Sequence, residues 1–233
     1  MKSKRFRLDR FLSQQLQRSK KQIQLLLASG AVTVDGLTIN DPQYPIDEFS
    51  LVVCRGETIQ SRQRRYIMMH KPMGVVSATI DEQKTVLDLI DEPYKDELHI
   101  AGRLDKNSTG LLLLSNDGRW SQLLSDAAVG CEKTYQVTVR DAISDECVGA
   151  FEQGIYFEYE DLTTLPAKLK RTGPCRAEVT LCQGRYHQIK RMFGRFRNPV
   201  LTIHRTTIGS IVLDDSLKPG EYRALTEKEV SLV

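Results

Sequence analysis

One carboxylate in the loop "AGRLDKNSTGLLLLSNDG", from Ala101 to Gly118, is the first candidate for chemistry in this chain. Asp105 stands in a polar stretch that leads directly into four leucines. An Asp in such a loop is usually a turn residue, a helix cap or half of a structural ion pair, because its side chain hydrogen-bonds nearby backbone amides. In a cleft, however, a carboxylate is also a nucleophile or a proton-transfer group. The surrounding sequence has to decide between these interpretations.

Spacing excludes several familiar carboxylate or phosphate sites around Asp105. Asp105, Asn107 and Gly110 match the first, third and sixth positions of a calcium loop, but Asn116 stands at the twelfth position, where the loop requires Glu. The chain contains no GxxxxGK[ST], GxGxxG, HExxH or GxSxG motif. A second nearby carboxylate of the kind used by glycosidases is also missing from the sequence. Catalysis at this loop would therefore rest on one carboxylate, without a metal.

A basic segment far downstream, "QGRYHQIKRMFGRFRNPVLTIHR", is the second candidate. From Val179 to Leu213 the chain has six Lys and Arg and no acidic residue. On a helix that starts near His187, Lys190 and Arg191 follow at three and four residues and broadly share its face. The face is either a phosphate-binding surface or a solvated one.

The segment "CEKTYQVTV" is the third candidate, because it reads as a strand in which Tyr135 and Thr134 point to opposite faces. Taken alone, an aromatic residue on a strand is usually part of a core. The sequence alone leaves both interpretations of Tyr135 open.

Composition sets the broad class. The 233 residues are 40% hydrophobic and 27% charged, which is typical of a globular chain. Five scattered cysteines, none in a CxxC pair, argue against a disulfide framework or a zinc site: Cys54, Cys131, Cys147, Cys175 and Cys182. The longest pure apolar run is Leu111 to Leu114, and the start lacks the pattern of a signal peptide. We expect a soluble, cytoplasmic protein with no membrane partner.

Charge is unevenly distributed. Met1 to Arg65 carries twelve Lys and Arg against six Asp and Glu, whereas the net charge of the whole chain is only +3. The remaining residues are therefore slightly acidic. A basic front part favours an anionic partner such as nucleic acid, although a solubilising surface would look the same.

The first part of the chain predicts two helices, a hairpin and a linker. Apolar residues at helical spacing from Arg7 to Leu27, with a break at Gln17 to Ser19, predict two short helices, the second capped by Ser19 and closed by Gly30. "AVTVDGLTI" then predicts a hairpin that turns at Asp35-Gly36. The polar stretch "GETIQSRQRRY", Gly56 to Tyr66, reads as a linker.

This front part resembles the small RNA-binding domain shared by ribosomal protein S-four and several RNA-modifying enzymes. The resemblance lies in the R-L-D-x-F-L opening and the G-x-V-x-V-x-G close of "FRLDRFLSQQLQRSKKQIQLLLASGAVTVDG". It implies that cations at the start of the helices bind RNA, namely Arg7, Arg10, Lys20 and Lys21. The family usually has Arg where Lys20 stands, a change that keeps the charge and loses the planar fork.

The rest of the sequence predicts an α+β domain, because its strands and helices do not alternate regularly as in βαβ units. "YIMMHKPMGVVSA" reads as a strand from Tyr66 to Met69 that holds Lys71 at its end, before a turn. Further strands are expected at Gly110–Leu114, Thr134–Val139, Arg176–Leu181 and Ile208–Leu213, with helices near Trp120–Leu124, Ser144–Gln153 and His187–Arg195.

Together these motifs resemble the RsuA family of rRNA pseudouridine synthases. H-K-P-x-G, G-R-L-D-x-x-x-T-G-L, E-K-T-Y and G-R-Y-H-Q-[IV]-K-R-M occur in the family's order, and the resemblance extends from Arg7 to Val230. It implies an αL-type RNA-binding domain at 1–56, a linker at 57–63 and a catalytic domain at 64–233 with a mixed, mainly antiparallel sheet flanked by helices.

The resemblance also assigns roles to residues. It implies that Asp105 is the nucleophile, attacking the anomeric carbon or carbon six of uracil, while Arg103 fills the space left by the extruded uridine. Tyr135 would stack on the uracil and assist proton removal, and Lys190 would pair with Asp105 and keep it ionised, with Arg191 as the alternative partner. Residues expected to support the site or contact RNA are Lys71, Arg185 and His187.

The implied function is isomerisation of one uridine in small-subunit (16S) rRNA by a monomer. Because this reaction involves no net hydrolysis or redox change, the resemblance also implies that no cofactor is needed. "GRYHQIKRMF" and "IHRTTIGSIVLDDSLKPGEYR" favour the small-subunit enzyme, since large-subunit members more often have Arg where Lys190 stands. Three alternatives remain: a large-subunit (23S) enzyme, a non-catalytic rRNA-binding assembly factor, and a hydrolytic nucleosidase that would release free uracil. An intact set of Asp105, Tyr135 and Lys190 argues against the assembly factor.

Overall fold

The computed structural model describes residues 5–125 and 130–232. The chain divides into two compact units, Met1–Arg64 and Arg65–Val233. None of the helices within the described ranges is long and apolar enough to cross a membrane. The fold is α+β, as the sequence predicted.

From residue 5 onward, the small unit contains two short helices and six short strands. Its elements are β1 (Phe6–Arg7), α1 (Leu8–Leu16), α2 (Lys20–Ala28), β2 (Val32–Val34), β3 (Leu37–Thr38), β4 (Pro45–Ile46), β5 (Val52–Cys54) and β6 (Glu57–Gln60). The predicted cap at Ser19 is confirmed, because its hydroxyl accepts from the backbone of Gln22 and the Gln22 side chain returns the bond. The predicted turn is also present: Asp35 and Gly36 both have positive φ between β2 and β3.

Part of the predicted linker is wrong. Glu57–Gln60 forms β6, which pairs with β5 and completes a sheet in the order β3-β2-β5-β6. The Gln60 amide also donates to the backbone carbonyls of Asp47 and Ser50. The short polar strand was missed because it lies at a sheet edge, where little hydrophobic alternation is needed.

The large unit is built on a twisted sheet whose strand order is β13-β14-β10-β15-β9-β7-β17, with β16 added on β15 and β8 on β9. These strands are β7 (Tyr66–Lys71), β8 (His99–Ala101), β9 (Thr109–Ser115), β10 (Lys133–Val139), β13 (Lys168–Gly173), β14 (Arg176–Leu181), β15 (Val200–Ile208), β16 (Ile211–Val212) and β17 (Tyr222–Ala224). A separate hairpin joins β11 (Tyr156–Phe157) to β12 (Leu162–Thr163). The β15–β9 pair is parallel and the other pairs of this sheet are antiparallel, so the sheet is mixed and mainly antiparallel.

Within the described part of this unit, four helices accompany the sheet: α3 (Gly118–Ser125), α4 (Asp145–Gln153), α5 (Gln188–Gly194) and α6 (Glu227–Val230). Single 3₁₀ turns lie at Leu87–Leu89, Lys95–Glu97 and Glu158–Glu160. The first three helices occupy the stretches predicted from periodicity, and Ser144 caps α4 through a bond from the backbone of Cys147.

The four leucines after the Asp105 loop explain how the sheet is anchored. Leu112 and Leu114 of β9 belong to the larger core, whereas Leu111 and Leu113 belong to a second core on the opposite face. Successive residues of a strand point to opposite faces, so a run of apolar residues indicates a strand that is covered on both sides. The loop before β9 is therefore attached to the most deeply buried strand of the unit.

One predicted strand has the wrong bounds. A single strand at Ile208–Leu213 was expected, but β15 ends at Ile208 and a turn at Gly209-Ser210 separates it from β16. Most of β15 was missed because its outward residues are Thr and His and one inward residue, Arg205, is charged, which hides the period of two. The consequence for the site is large, since β15 lies directly beside β9.

Candidate active site

Asp105 lies in the loop between β8 and β9, as expected. Its backbone carbonyl accepts a hydrogen bond from the amide of Ser108 at 3.0 Å, which closes a turn. Its carboxylate is half-buried, and the residue lines a cleft. The residue therefore shapes its loop through the backbone while the side chain is available to the cleft.

Two side chains from the predicted basic segment reach the same carboxylate oxygen. The Lys190 ammonium nitrogen is 3.0 Å from Asp105 Oδ2, and Nε2 of His187 is 3.5 Å from it. Lys190 stands on α5, and His187 is the residue before that helix, with a φ of +50°. The predicted partner Lys190 is thus brought to Asp105 from a segment 85 residues away in the sequence.

Tyr135 is buried and lines the same cleft, with its ring on the inward face of β10. Both sequence interpretations hold at once, because the residue belongs to the main core and also borders the cleft. Arg103 and Arg185 line the cleft as well, on either side of Asp105 in sequence. Apolar side chains complete the lining, namely Leu104, Leu181, Ile189 and Ile203. The walls combine an apolar and aromatic surface with cations around one carboxylate.

Lys71 does not have the role expected for it. We expected it to touch the RNA backbone, but its side chain is fully buried at the end of β7. Its ammonium group donates to the carbonyls of Pro72, Lys106 and Ser108 at 2.9–3.1 Å. Burial lowers the pKa of Lys71 to about 8, with the Asp105 charge opposing this and the Arg205 charge adding to it. Lys71 therefore stabilises the turn that carries Asp105 by binding the backbone carbonyls that follow it.

Arg205 was missed by sequence reasoning. Only 1% of its surface is exposed, and its guanidinium donates to the carbonyls of Leu111, Gly102 and Arg103. Gly110 packs so tightly against the Arg205 backbone that an added Cβ would overlap it. An Arg two residues after the buried Ile203 was the available signal, but it required the correct bounds of β15.

Lys133 is a second buried cation that the sequence did not single out. It precedes Thr134 in the E-K-T-Y motif, and its ammonium group donates to the carbonyl of Cys131 at 3.2 Å. Burial lowers its pKa, and the nearby charge of Arg205 lowers it further. Lys133 and Arg205 both lie within 4.0 Å of a Cβ placed on Gly102. Two buried cations, Lys71 and Arg205, therefore bind backbone carbonyls of the Asp105 loop, and Lys133 is a third buried cation beside Gly102.

Arg191 was named as the alternative partner of Asp105, and this is wrong. Its guanidinium binds Glu160 at 2.7 Å and lies over the ring of Phe157 at 3.8 Å. A helix turns by about 100° per residue, so the adjacent side chains of Lys190 and Arg191 leave it in different directions. Arg191 instead ties α5 to the turn after β11.

In the small unit, cations lie along the starts of the two helices. Arg7, Arg10 and Lys20 line a groove together with Asp9, Ser13 and Gln14. The charge of Arg7 is partly neutralised, because its guanidinium binds the buried carboxylate of Asp9 at 2.7 Å. Lys21 is exposed and does not line the groove. The structure thus groups three of the four predicted RNA-binding cations.

A cationic helical unit joined to a sheet unit that presents a lone carboxylate in a partly apolar cleft has the layout of a nucleic-acid-modifying enzyme. Residues 65–194 match the RNA pseudouridylate synthase family, and residues 6–52 match the S4 domain. The chain belongs to the RNA pseudouridylate synthase family.

Curated relatives cover nearly the whole chain. The ribosomal small subunit pseudouridine synthase A of Pseudomonas aeruginosa is 47% identical over 229 residues, which cover 97% of this chain and 100% of that protein. The proteins of the same name from Vibrio cholerae and Escherichia coli are 43% and 40% identical, each over 97% of this chain and 99% of the relative. A crystal structure of a pseudouridylate synthase superposes with a TM-score of 0.72 at 36% identity, covering 98% of this chain and 100% of that chain.

Proposed function

We propose that this chain isomerises one uridine of small-subunit ribosomal RNA to pseudouridine, with Asp105 as the nucleophile and without a cofactor. The observation that carries the proposal is the 3.0 Å contact between Lys190 and Asp105, which lines a cleft together with Tyr135. The names of the curated relatives support the substrate. Such a substrate would place the protein in the cytoplasm, where we propose that it acts as a monomer.

The chemistry suits a lone carboxylate. In the proposed reaction Asp105 attacks either the anomeric carbon of the ribose or carbon six of the uracil, and the N-glycosidic bond breaks. The base then turns and rejoins the ribose through carbon five, which loses its proton while nitrogen one gains one. Nucleophilic catalysis divides this exchange into two easier steps, and the apolar walls of the cleft keep water from the intermediate.

The other residues of the cleft receive roles that follow from their positions. Tyr135 is proposed to stack on the extruded uracil and to assist the final proton transfer. Arg103 is two residues before Asp105 and lines the cleft, so it can occupy the gap that the extruded nucleotide leaves. Lys190 positions the carboxylate and neutralises its charge when the RNA phosphates approach.

We propose that RNA binding and isomerisation are carried out by different parts of the chain. Residues 1–56 would bind ribosomal RNA and residues 64–233 would carry out the isomerisation, joined by residues 57–63. The groove of Arg7, Arg10 and Lys20 supports the first assignment, since clustered cations recognise phosphates without reading bases.

Tritium release tests the function directly. Transcripts of small-subunit and large-subunit rRNA carrying uridine tritiated at carbon five are incubated with the wild-type protein and with Asp105→Asn. Release from the small-subunit RNA, abolished in the variant without loss of RNA binding, is the expected result. Release from the large-subunit RNA alone would overturn the substrate, and free uracil would indicate a hydrolase instead. Without release from transcripts or from assembly-intermediate particles, the chain would be a binding protein.

A further inference from the structure

Tyr186 is a large aromatic side chain at an unusual place, because 75% of its surface is exposed. It lies in the "GRYHQ" segment, between Arg185, which lines the cleft, and His187, which contacts Asp105. Isolated exposed apolar residues are common and need no explanation. Tyr186 differs from them in how firmly it is held and in what surrounds it.

The ring of Tyr186 is fixed by stacking. Its centroid lies 3.9 Å from that of the His187 imidazole, and the two planes are inclined by 21°. The buried Gln188 stabilises the turn that carries Tyr186. Its side-chain oxygen accepts from the backbone amide of Arg185, and its backbone amide donates to the Arg185 carbonyl, both at 3.1 Å. An aromatic face is thus presented to solvent without the entropic cost of ordering it during binding.

The position relative to Asp105 defines which ligand the ring can serve. His187 Nε2 is 3.5 Å from the carboxylate, and both His187 and Arg185 line the cleft that contains Asp105, whereas Tyr186 between them does not. A base on the exposed face of Tyr186 would therefore lie outside the lining of that cleft. That base cannot be the one that reacts with Asp105, so it would be a neighbouring nucleotide.

The charge around the ring favours a nucleic acid over an apolar protein partner. Arg103 and Arg185 line the cleft with Asp105 as its one acidic lining residue among the described residues. The segment from Gly184 to Gly194 contains no acid, and of its cations Lys190 pairs with Asp105 and Arg191 with Glu160, which leaves Arg185 next to Tyr186 in the sequence. An aromatic platform beside arginines is the arrangement that binds single-stranded nucleic acid, since every base has a π-face and every nucleotide a phosphate.

We propose that Tyr186, backed by His187, is a stacking platform for an unpaired nucleobase that flanks the extruded uridine. This rests on the proposed function and deepens it. The platform holds the strand open beside the cleft after the target base has left its stack, so it contributes to RNA affinity and not to the chemical step.

Three substitutions at one position separate a stacking role from other roles. Tyr186→Phe keeps the ring, Tyr186→Leu keeps apolar bulk without a π-face, and Tyr186→Ala removes both. Tyr156→Ala is the matched control. Tyr156 is also an exposed tyrosine, at 52%, but it lies on the hairpin of β11 and β12, where its hydroxyl binds Asp161. Each protein is assayed for single-turnover tritium release from the small-subunit rRNA transcript over a range of protein concentrations.

The expected result is a rise of about tenfold in the concentration that gives half-maximal rate for Tyr186→Ala and Tyr186→Leu, which is the size measured for one base–aromatic stack. The rate at saturation should stay within twofold, and Tyr186→Phe and Tyr156→Ala should match the wild type. Unchanged half-maximal concentrations would overturn the platform, as would an equal loss in Tyr186→Phe or in Tyr156→Ala. A fall in the saturating rate alone would assign Tyr186 to positioning His187 instead. A wild-type protein that releases no tritium would refute the proposed function itself, which makes the two failures distinguishable.

Discussion

The ammonium nitrogen of Lys190 lies 3.0 Å from Oδ2 of Asp105, while the adjacent Arg191 turns away to bind Glu160 at 2.7 Å. Two neighbouring cations on one short helix therefore have separate tasks. Lys190 binds Asp105, and Arg191 attaches the helix to the hairpin of β11 and β12.

This pair gives the first prediction. Lys190→Met should lower the single-turnover rate by about tenfold to a hundredfold, since a hydrogen bond to a charged group contributes about 1.5–3 kcal/mol. Lys190→Arg should retain most of the rate because the charge remains within reach of Asp105. Single-turnover tritium release at saturating RNA is the measurement.

Arg191→Met is the matched control for Lys190→Met. It should leave the rate within threefold and reduce thermal stability modestly, because it breaks an ion pair that is partly exposed. A larger loss of rate in Arg191→Met than in Lys190→Met would contradict the assignment of Lys190.

Arg205 gives a prediction about stability. Arg205→Met should reduce the free energy of unfolding of the large unit by about 3 kcal/mol or more, because three carbonyls lose a charged donor in a buried site. Urea denaturation followed by the fluorescence of Trp120 reports this unit, since Trp120 is the only tryptophan and is buried within it. Arg195→Met, at an exposed position on the end of α5, should change the same quantity by less than about 0.5 kcal/mol. Equal effects would mean that Arg205 is not a support of the loop.

Lys71 makes stability depend on pH. Its pKa is lowered by burial from an ordinary value of 10.5 to about 8, so between these two pH values the unfolded chain binds more protons at this residue than the folded chain. Its contribution to the free energy of unfolding should therefore rise with pH from about 8 to about 10.5 and stay constant below pH 8. Near the middle of this window the slope approaches about 1.4 kcal/mol per pH unit.

The measurement compares the wild type with Lys71→Met at pH 7, 8, 9 and 10 by urea denaturation with Trp120 fluorescence. Subtracting the variant removes the groups that titrate in both proteins. The wild type should gain stability relative to the variant above pH 8. A difference that is flat over this range would refute the lowered pKa of Lys71.

The groove of the small unit gives a prediction about salt. Arg10→Ala and Lys20→Ala should each weaken rRNA binding and reduce the slope of log affinity against log salt by about one, as expected when one phosphate contact is lost. Lys21→Ala should change the slope less, because Lys21 does not line the groove. Filter binding at several salt concentrations measures all three, and identical slopes for the three variants would refute a specific groove.

Local signals in the sequence were sufficient for most elements. The helix cap at Ser19, the turn at Asp35-Gly36 and the doubly buried run of β9 each follow from the chemistry of a few adjacent residues. Asp105, Tyr135 and Lys190 were also singled out as candidates, because their motifs occur in a recognisable order. For these features neighbouring residues carry the information.

Only the tertiary structure decided what the cations do. Lys71 was expected at the RNA and is buried under the Asp105 turn, Arg191 was a candidate for Asp105 and binds Glu160, and Arg205 was not considered. A cation has the same sequence signature whether it meets a phosphate or a ring of backbone carbonyls. The distinction depends on the pairing of β15 with β9, which joins His204 to Thr109 across the sequence. The sequence by itself thus determined the candidate residues for the chemistry, and the long-range pairing of strands decided which residues hold them in place.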